Sequence, residues 1–186
     1  MERLGLKAIN TGCVTMWMLT PEFCAKIPRN KAGKVVFTIT ASSNPQNMEK
    51  DQIILDTLLR NYKEVYFWPQ GVRDYNHLQT IHGTDGINVL PANKQAYDDY
   101  LTNNDTDYVG TRLHGGIYAM RHCRRAIIIA IDERARAIDE KNHLNCIDYN
   151  NLQNLEPKIT SEFETKIVMD FDAIRRWKSQ FNEYEK

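Results

Sequence analysis

Short apolar runs recur along the chain, and each is rich in β-branched or aromatic residues. Runs of this kind predict strands, here at 35–40, 64–68, 87–90, 107–111 and 126–131. Between them, apolar residues recur at helical spacing, which predicts helices at 46–61, 93–102, 115–122 and 133–143. Because strand and helix alternate, the pattern predicts a parallel sheet.

The run at 126–131 is apolar at every position, which is typical of a strand covered on both faces. With right-handed crossovers, such strands predict a Rossmann-like α/β domain with helices on both faces of the sheet. We assign this domain to residues 35–170. Residues 4–10 predict one more strand, and residues 18–34, with Pro21, Pro28 and Gly33, predict a linker.

The tail at 171–186 has apolar residues at helical spacing, and Asp170 or Asp172 is suited to cap its first turn. We expect a C-terminal helix that packs either on this domain or on a neighbouring one. Trp17, between the predicted strand at 4–10 and the sheet domain, is a candidate contact for such a neighbour.

Composition narrows the class of protein. A chain of 186 residues makes one domain, or one domain and a fragment of another, around a single main core. Lys and Arg number 24, and so do Asp and Glu, so no long-range field favours nucleic acid as a partner. Any anion binding must therefore be local.

The cysteines and the lengths of the apolar runs indicate where in the cell the protein is located. Four cysteines form no Cys-x-x-Cys pair, so we expect free buried thiols and no zinc ribbon. The chain has no charged-then-apolar leader, and no apolar run reaches the about 20 residues that span a bilayer. We expect a cytoplasmic protein with no transmembrane segment. The histidines have no spacing suited to a metal site, and no cofactor is implied.

We look for candidate catalytic and binding residues in the turns that follow strands, because parallel sheets bind ligands at the carboxyl ends of their strands. The richest turn is Arg-Leu-His-Gly-Gly at 112–116. Gly115 and Gly116 would let an anion approach free N–H groups at a helix start, where the helix dipole is positive. Arg112 can grip a carboxylate or phosphate, and His114 can transfer a proton near neutral pH. The alternative is that Arg112 pairs with a neighbouring acid and His114 only caps the helix.

Other turns supply weaker candidates for substrate binding: Asn44 after the first strand of the domain, Gln70 after the second, and Arg134 and Arg136 after the last. Gln70 is as compatible with an ordinary turn as with a binding role. The two arginines have nearby acids with which to pair, and Asp132 is better suited to capping the next helix.

Three stretches of this sequence resemble the polysaccharide pyruvyl transferase family. They are Asp-Tyr-Val-Gly-Thr-Arg-Leu-His-Gly-Gly at 107–116 with the following strand and Asp132-Glu-Arg134-Ala-Arg136, Asn-Thr-Gly-Cys at 10–13, and Tyr-Phe-Trp-Pro-Gln-Gly at 66–71. The Arg-Leu-His-Gly core is the most specific part. The chain departs from the family at 120–125, where His-Cys-Arg-Arg replaces a Gly-x-Pro turn.

The resemblance implies the C-terminal half of an enzyme with two facing Rossmann-like domains, as in glycosyltransferases of the GT-B type. Residues 1–17 then correspond to the last strand and exit of a first domain that is mostly missing. The implied reaction moves a pyruvyl group from phosphoenolpyruvate to hydroxyls of a sugar or lipid-linked glycan precursor. Arg112 would hold the donor, His114 would be the general acid, and the helix start at Gly115 and Gly116 would receive the phosphate.

Two other functions remain open. In the first, the same helix start holds the diphosphate of a nucleotide sugar, in half of a glycosyltransferase or an epimerase. In the second, the chain is a non-catalytic binding or assembly module, which folds and forms a homo-oligomer without turning over a substrate.

Overall fold

The computed structural model describes residue 5 and residues 8–181. Its strands are β1 (Lys34–Thr38), β2 (Glu64–Phe67), β3 (Ile87–Val89), β4 (Asp107–Gly110), β5 (Ala126–Ala130) and β6 (Cys146–Asp148). All pairings are parallel, and the order across the sheet is β3-β2-β1-β4-β5-β6. The predicted parallel sheet is therefore confirmed, and β6 is an additional strand that the sequence did not predict.

The order of strands locates the natural ligand edge of the sheet. The chain runs outward from β1 to β3, then returns to the other side of β1 and runs outward again from β4 to β6. In register, Phe37 of β1 lies between Phe67 of β2 and Val109 of β4. The carboxyl ends of β1 and β4 therefore flank the topological switch point, where α/β sheets bind their ligands.

Eight α-helices follow the strands or flank them in the described chain. They are α1 (Pro21–Cys24), α2 (Pro45–Asn61), α3 (Val72–Ile81), α4 (Lys94–Asn103), α5 (Leu113–Arg121), α6 (Glu133–Asn142), α7 (Leu155–Thr160) and α8 (Phe171–Ser179). The four helices predicted between strands correspond to α2, α4, α5 and α6. The sequence did not reveal α3, because it buries only one large apolar side chain, Leu78, while its Val72 and Tyr75 are exposed.

Helices cover both faces of the sheet, and each face has its own core. On one face, α2, α3 and α7 pack on alternate strand residues such as Phe37, Phe67, Val109 and Ile129. On the other face, α4 and α5 pack on the intervening residues, which include Val36, Tyr108 and Ile128. This division follows from the period of two along a strand.

The segment between the predicted N-terminal strand and the sheet is part of the second core. Met16, Leu19, Cys24 and Ile27 are buried there, next to α5 and α4. Residues 8–10 have no regular structure, so the strand expected at 4–10 is not formed over its last three residues. Residues 4, 6 and 7 lie outside the described part of the chain.

The C-terminal helix packs on this domain. Ala173 and Ile174 of α8 are buried, and Asp170 caps the helix by accepting the Ala173 N–H at 2.8 Å. The Trp177 ring meets the Trp17 ring edge-on, with 5.0 Å between centroids. Trp17 thus contacts the helix that follows the domain. Residues 182–186 of the expected tail helix are not described.

A buried arginine holds together the amino edge of the sheet. Arg125 is 1% exposed and donates from Nη1 to Asp107 Oδ2 at 2.7 Å, while Tyr62 donates to the same carboxylate at 2.7 Å. Its Nη2 lies within 3.0 Å of three carbonyl oxygens at the end of α7, those of Lys158, Ile159 and Ser161. Arg125, in the stretch that departs from the family pattern, therefore caps α7.

Candidate functional site

One buried carboxylate joins three turns at the switch point. Asp74, in the first turn of α3, has a side chain only 5% exposed. It accepts the N–H of Ala41 after β1 at 3.3 Å and the N–H of Gln70 after β2 at 3.1 Å. It also accepts Arg112 Nη2, at 2.8 and 2.9 Å from its two oxygens. Asp74 therefore fixes the relative positions of the turns that line the site.

Arg112 has a structural partner in Asp74, which is the alternative that the sequence left open. Both contacts come from the same nitrogen, so the guanidinium is not engaged as a two-nitrogen fork. Its Nε is buried without a partner among the described residues, and the side chain is 31% exposed. Arg112 is therefore anchored by one nitrogen and keeps N–H groups that no described acceptor uses.

The two glycines of the Arg-Leu-His-Gly-Gly turn serve packing. Both of their N–H groups donate to the Arg112 carbonyl, Gly115 at 2.9 Å and Gly116 at 3.2 Å. A Cβ at Gly115 would lie 2.9 Å from Tyr108 Oη, and one at Gly116 would lie 2.5 Å from Ile128 Cγ1. The N–H groups of the two glycines are therefore not free to bind a phosphate, and the glycines bring α5 close to the sheet.

The free donors at the start of α5 belong to the preceding residues. Arg112 stands at the N-cap position, and its side chain does not cap the helix. Leu113 and His114 are the first two helical residues, and their N–H groups have no acceptor in the described part of the chain. An anion at this helix start would therefore meet Leu113 and His114.

His114 is exposed and contacts the N-terminal segment. Its Nε2 lies 3.7 Å from Cys13 Sγ, and Cys13 is 3.0 Å from Thr15 Oγ1. The contact joins residues 101 positions apart. No spacing in the sequence pairs Cys13 with His114, so sequence reasoning missed this thiol.

A cleft of about 220 Å³ is lined by five of the predicted site residues, namely Gln70, Arg112, His114, Gly115 and Arg134. A wider opening beside it is lined by Gln70, Asp74, Arg112 and also Arg73, which no sequence pattern indicated. Arg73 is exposed and has no ion-pair partner within residues 8–181. The glycine before α3 and the acid in its first turn were the available signals for this helix start.

Two predicted site residues lie elsewhere. Asn44 caps α2 by accepting the Gln46 N–H at 3.0 Å, and it does not line the cleft. Arg136 faces a neighbouring cavity and pairs with Asp148 at 2.7 Å and Glu133 at 2.8 Å. Asp132 accepts the Ala135 N–H at 2.8 Å, so the predicted capping role is confirmed.

A buried polar cluster borders that neighbouring cavity, and no sequence pattern predicted it. Asp51 receives His77 Nε2 on Oδ2 at 2.7 Å and the Tyr149 hydroxyl on Oδ1 at 2.9 Å. Tyr149 Oη is also 2.8 Å from the Asn47 carbonyl oxygen, so its single proton faces two acceptors. Burial raises the pKa of Asp51, and a proton on its carboxyl group makes both contacts of Tyr149 hydrogen bonds.

The comparisons with known proteins find no matching family model and no similar curated protein.

Among residues 8–181, none of the helices combines the length and apolar character of a membrane span. All four cysteines are free thiols. Within the same residues, His, Cys, Asp and Glu form no group of three that could hold a metal ion.

Proposed function

We propose that this chain is the donor-binding domain of a cytoplasmic polysaccharide pyruvyl transferase and that the Arg112 cleft takes phosphoenolpyruvate. The observation that carries the proposal is the convergence of Arg112, His114, Gln70 and Arg134 on one cleft at the switch point. These side chains come from three different turns, and an open parallel sheet binds ligands at this edge.

The cleft offers donors for both anionic groups of this substrate. Phosphoenolpyruvate carries a phosphate and a carboxylate, which charged N–H donors recognise well. Arg112 has unused N–H groups, and Arg134 is 65% exposed with only a 3.6 Å contact to Asp132. The free N–H groups of Leu113 and His114 add the positive end of the α5 dipole.

We infer that His114 serves as the general acid. In the proposed reaction, the methylene carbon of phosphoenolpyruvate gains a proton and the central carbon is attacked by a sugar hydroxyl. A second hydroxyl then forms another C–O bond as the bond to the phosphate oxygen breaks. The two hydroxyls lose two protons in all, and these balance the proton gained by carbon and the one carried away by phosphate. An exposed imidazole can supply and recover such protons.

The acceptor site needs a second wall. The carboxyl edge of the sheet is open above the cleft, and a reaction between two substrates requires both to be held in one geometry. A facing domain, or a second copy of the chain, would provide that wall for a sugar or lipid-linked glycan. The chain alone is then a binding domain.

The test is protection from thermal unfolding by two ligands. Phosphoenolpyruvate at 100 times its dissociation constant should add about 2.7 kcal/mol to the free energy of unfolding. Uridine diphosphate at equal ionic strength should add little. A domain with Arg112→Ala should lose about half of the protection or more, and Arg29→Ala, a change of an exposed arginine outside the cleft, should keep it. Equal protection by inorganic phosphate would contradict recognition of the carboxylate.

A second candidate is a nucleotide-sugar-binding domain, which the strand order favours because dinucleotide-binding domains share it. The turn after β1 argues against it. Residues 40–44 contain no glycine, and the start of α2 is closed by the Asn44 cap and Pro45. Protection by uridine diphosphate and none by phosphoenolpyruvate would support this candidate.

A further inference from the structure

A second cavity lies on the other side of the switch point. The hydroxyls of Thr40 after β1 and Thr111 after β4 are 3.0 Å apart, and both residues line the Arg112 cleft and this cavity. It measures about 290 Å³ and is lined by the side chains of Ser42, Asn47, Lys50, Asp51, Arg136 and Asn150, among others. Its walls come from α2, α6 and the turn after β6.

The cationic side chains that line this cavity have N–H donors without an acceptor. Lys50 Nζ donates to Asn150 Oδ1 at 2.6 Å and lies 5.0 Å from the centre of the Tyr149 ring. No carboxylate in the described chain is within ion-pair distance of Lys50, so two of its three N–H donors are free. Arg136 gives Nε to Asp148 and Nη1 to Glu133, and its Nη2 has no acceptor in residues 8–181.

Two side-chain acceptors that line the cavity, the Asp51 carboxylate and the Asn150 carbonyl oxygen, are already occupied. Asp51 has a side chain 2% exposed, and its two oxygens are taken by His77 and the Tyr149 hydroxyl. Asn150 Oδ1 is taken by Lys50. The cavity therefore has an excess of donors, and a ligand that fills it must supply acceptors.

We propose that this cavity is a second oxyanion site, in which Lys50 and Arg136 bind a phosphate or carboxylate group. Positively charged donors with spare N–H groups form their strongest hydrogen bonds with such oxygens. Thr40 and Thr111 separate the site from the Arg112 cleft, so a ligand with an anionic group at each end can span the switch point. The oxyanion belongs either to the ligand of the Arg112 cleft or to a second substrate. The site does not depend on the function proposed above.

The experiment is a titration of ¹⁵N-labelled protein with inorganic phosphate at constant ionic strength, followed by backbone amide shifts. Phosphate should shift the amides of Asn47 and Asn150 along one binding curve. Lys50→Gln should weaken that curve about tenfold or more, the loss expected for one charged hydrogen bond. Lys63→Gln, the same change at an exposed site beside the amino end of β2, should leave it unchanged. Arg136→Gln is the second variant and should weaken the curve as Lys50→Gln does.

The amides of Leu113 and His114 report on the Arg112 cleft in the same spectra, so failure of one site is seen apart from failure of the other. A second titration with phosphoenolpyruvate identifies the source of the oxyanion. A tenfold weaker response at His114 in Lys50→Gln assigns the second oxyanion to that ligand, and an unchanged response assigns it to another substrate. The proposal is overturned if phosphate leaves the Asn47 and Asn150 amides unmoved. An equal loss in Lys63→Gln, which indicates non-specific attraction, also overturns it.

Discussion

Replacing Arg112 by alanine should have two separable effects, because this side chain has a structural partner and unused donors. The first effect is on stability. Asp74 keeps two backbone N–H donors but loses its cation, at a side chain that is 5% exposed. Because Arg112 itself is 31% exposed, solvent replaces part of the loss, and the free energy of unfolding should fall by about 1–2 kcal/mol.

The second effect is on donor affinity. A charge-assisted hydrogen bond contributes about 1.5–3 kcal/mol, which is one to two powers of ten in affinity. At a phosphoenolpyruvate concentration of 100 times the wild-type dissociation constant, stabilisation by the ligand should fall from about 2.7 kcal/mol to between about 0.4 and 1.4 kcal/mol. Each protein is compared with its own unliganded state by urea unfolding, so the loss of stability does not enter the result.

Asp74→Asn is the control that distinguishes direct contact between Arg112 and the donor from an effect on the arrangement of the turns. It removes the carboxylate charge and keeps Arg112, so the site loses its anchor but not its cation. If Arg112 contacts the donor, Asp74→Asn should retain at least wild-type affinity, since the cation is no longer neutralised by Asp74. If Asp74→Asn loses protection as fully as Arg112→Ala, then Arg112 acts only by holding the turns together, and the reasoning is refuted.

Four further results are expected. In an enzyme that contains both domains, His114→Ala should slow turnover about a hundredfold to ten-thousandfold with little change in donor affinity; near-normal turnover would remove it as the acid. The 186 residues alone should show little or no transferase activity, and robust turnover with a sugar acceptor would disprove this. Arg125→Met should lower the free energy of unfolding by about 3–5 kcal/mol, because it leaves the buried Asp107 carboxylate without its cation. Urea unfolding measures this, and a loss under about 1 kcal/mol would contradict it. Asp51 has a raised pKa, so its contribution to stability is complete below about pH 4 and is lost as the pH rises through that pKa. The free energy of unfolding of Asp51→Asn should therefore rise relative to that of wild type as the pH increases above about 4, and parallel pH profiles in urea unfolding would refute this.

Local pattern was enough for most of the fold. The strands β1 to β5 and four helices are each long and apolar enough to show their period, and their alternation determines a parallel sheet. The elements that escaped are β6, α1, α3 and α7. In β6 only Cys146 and Ile147 are apolar, between Asn145 and Asp148, and α3 buries a single large apolar side chain. α1 has four residues and α7 has six. Such elements are stabilised by tertiary packing more than by local preference.

The candidate site also has some features that the sequence predicted and others that only the structure showed. The sequence identified Arg112, His114, Gln70 and Arg134 because each follows a strand, and parallel strands share a carboxyl edge. It could not decide which nitrogen of Arg112 is free, or that Gly115 and Gly116 face the sheet, because both depend on distances to Asp74, Tyr108 and Ile128.

The order of the strands was also decided by the tertiary structure. That order placed Thr40 beside Thr111, between two cavities where the sequence indicated one site. Arg134 and Arg136, two residues apart on α6, face different cavities. The packing of distant segments brought Cys13 to His114 and Asp51 to His77 and Tyr149, over separations that no local period records. The sequence by itself determined most of the helices and strands and the edge of the sheet where the candidate site residues lie, because periodicity is a property of neighbouring residues. Only the tertiary structure decided which side chains meet there, because such contacts depend on the packing of segments distant in the chain.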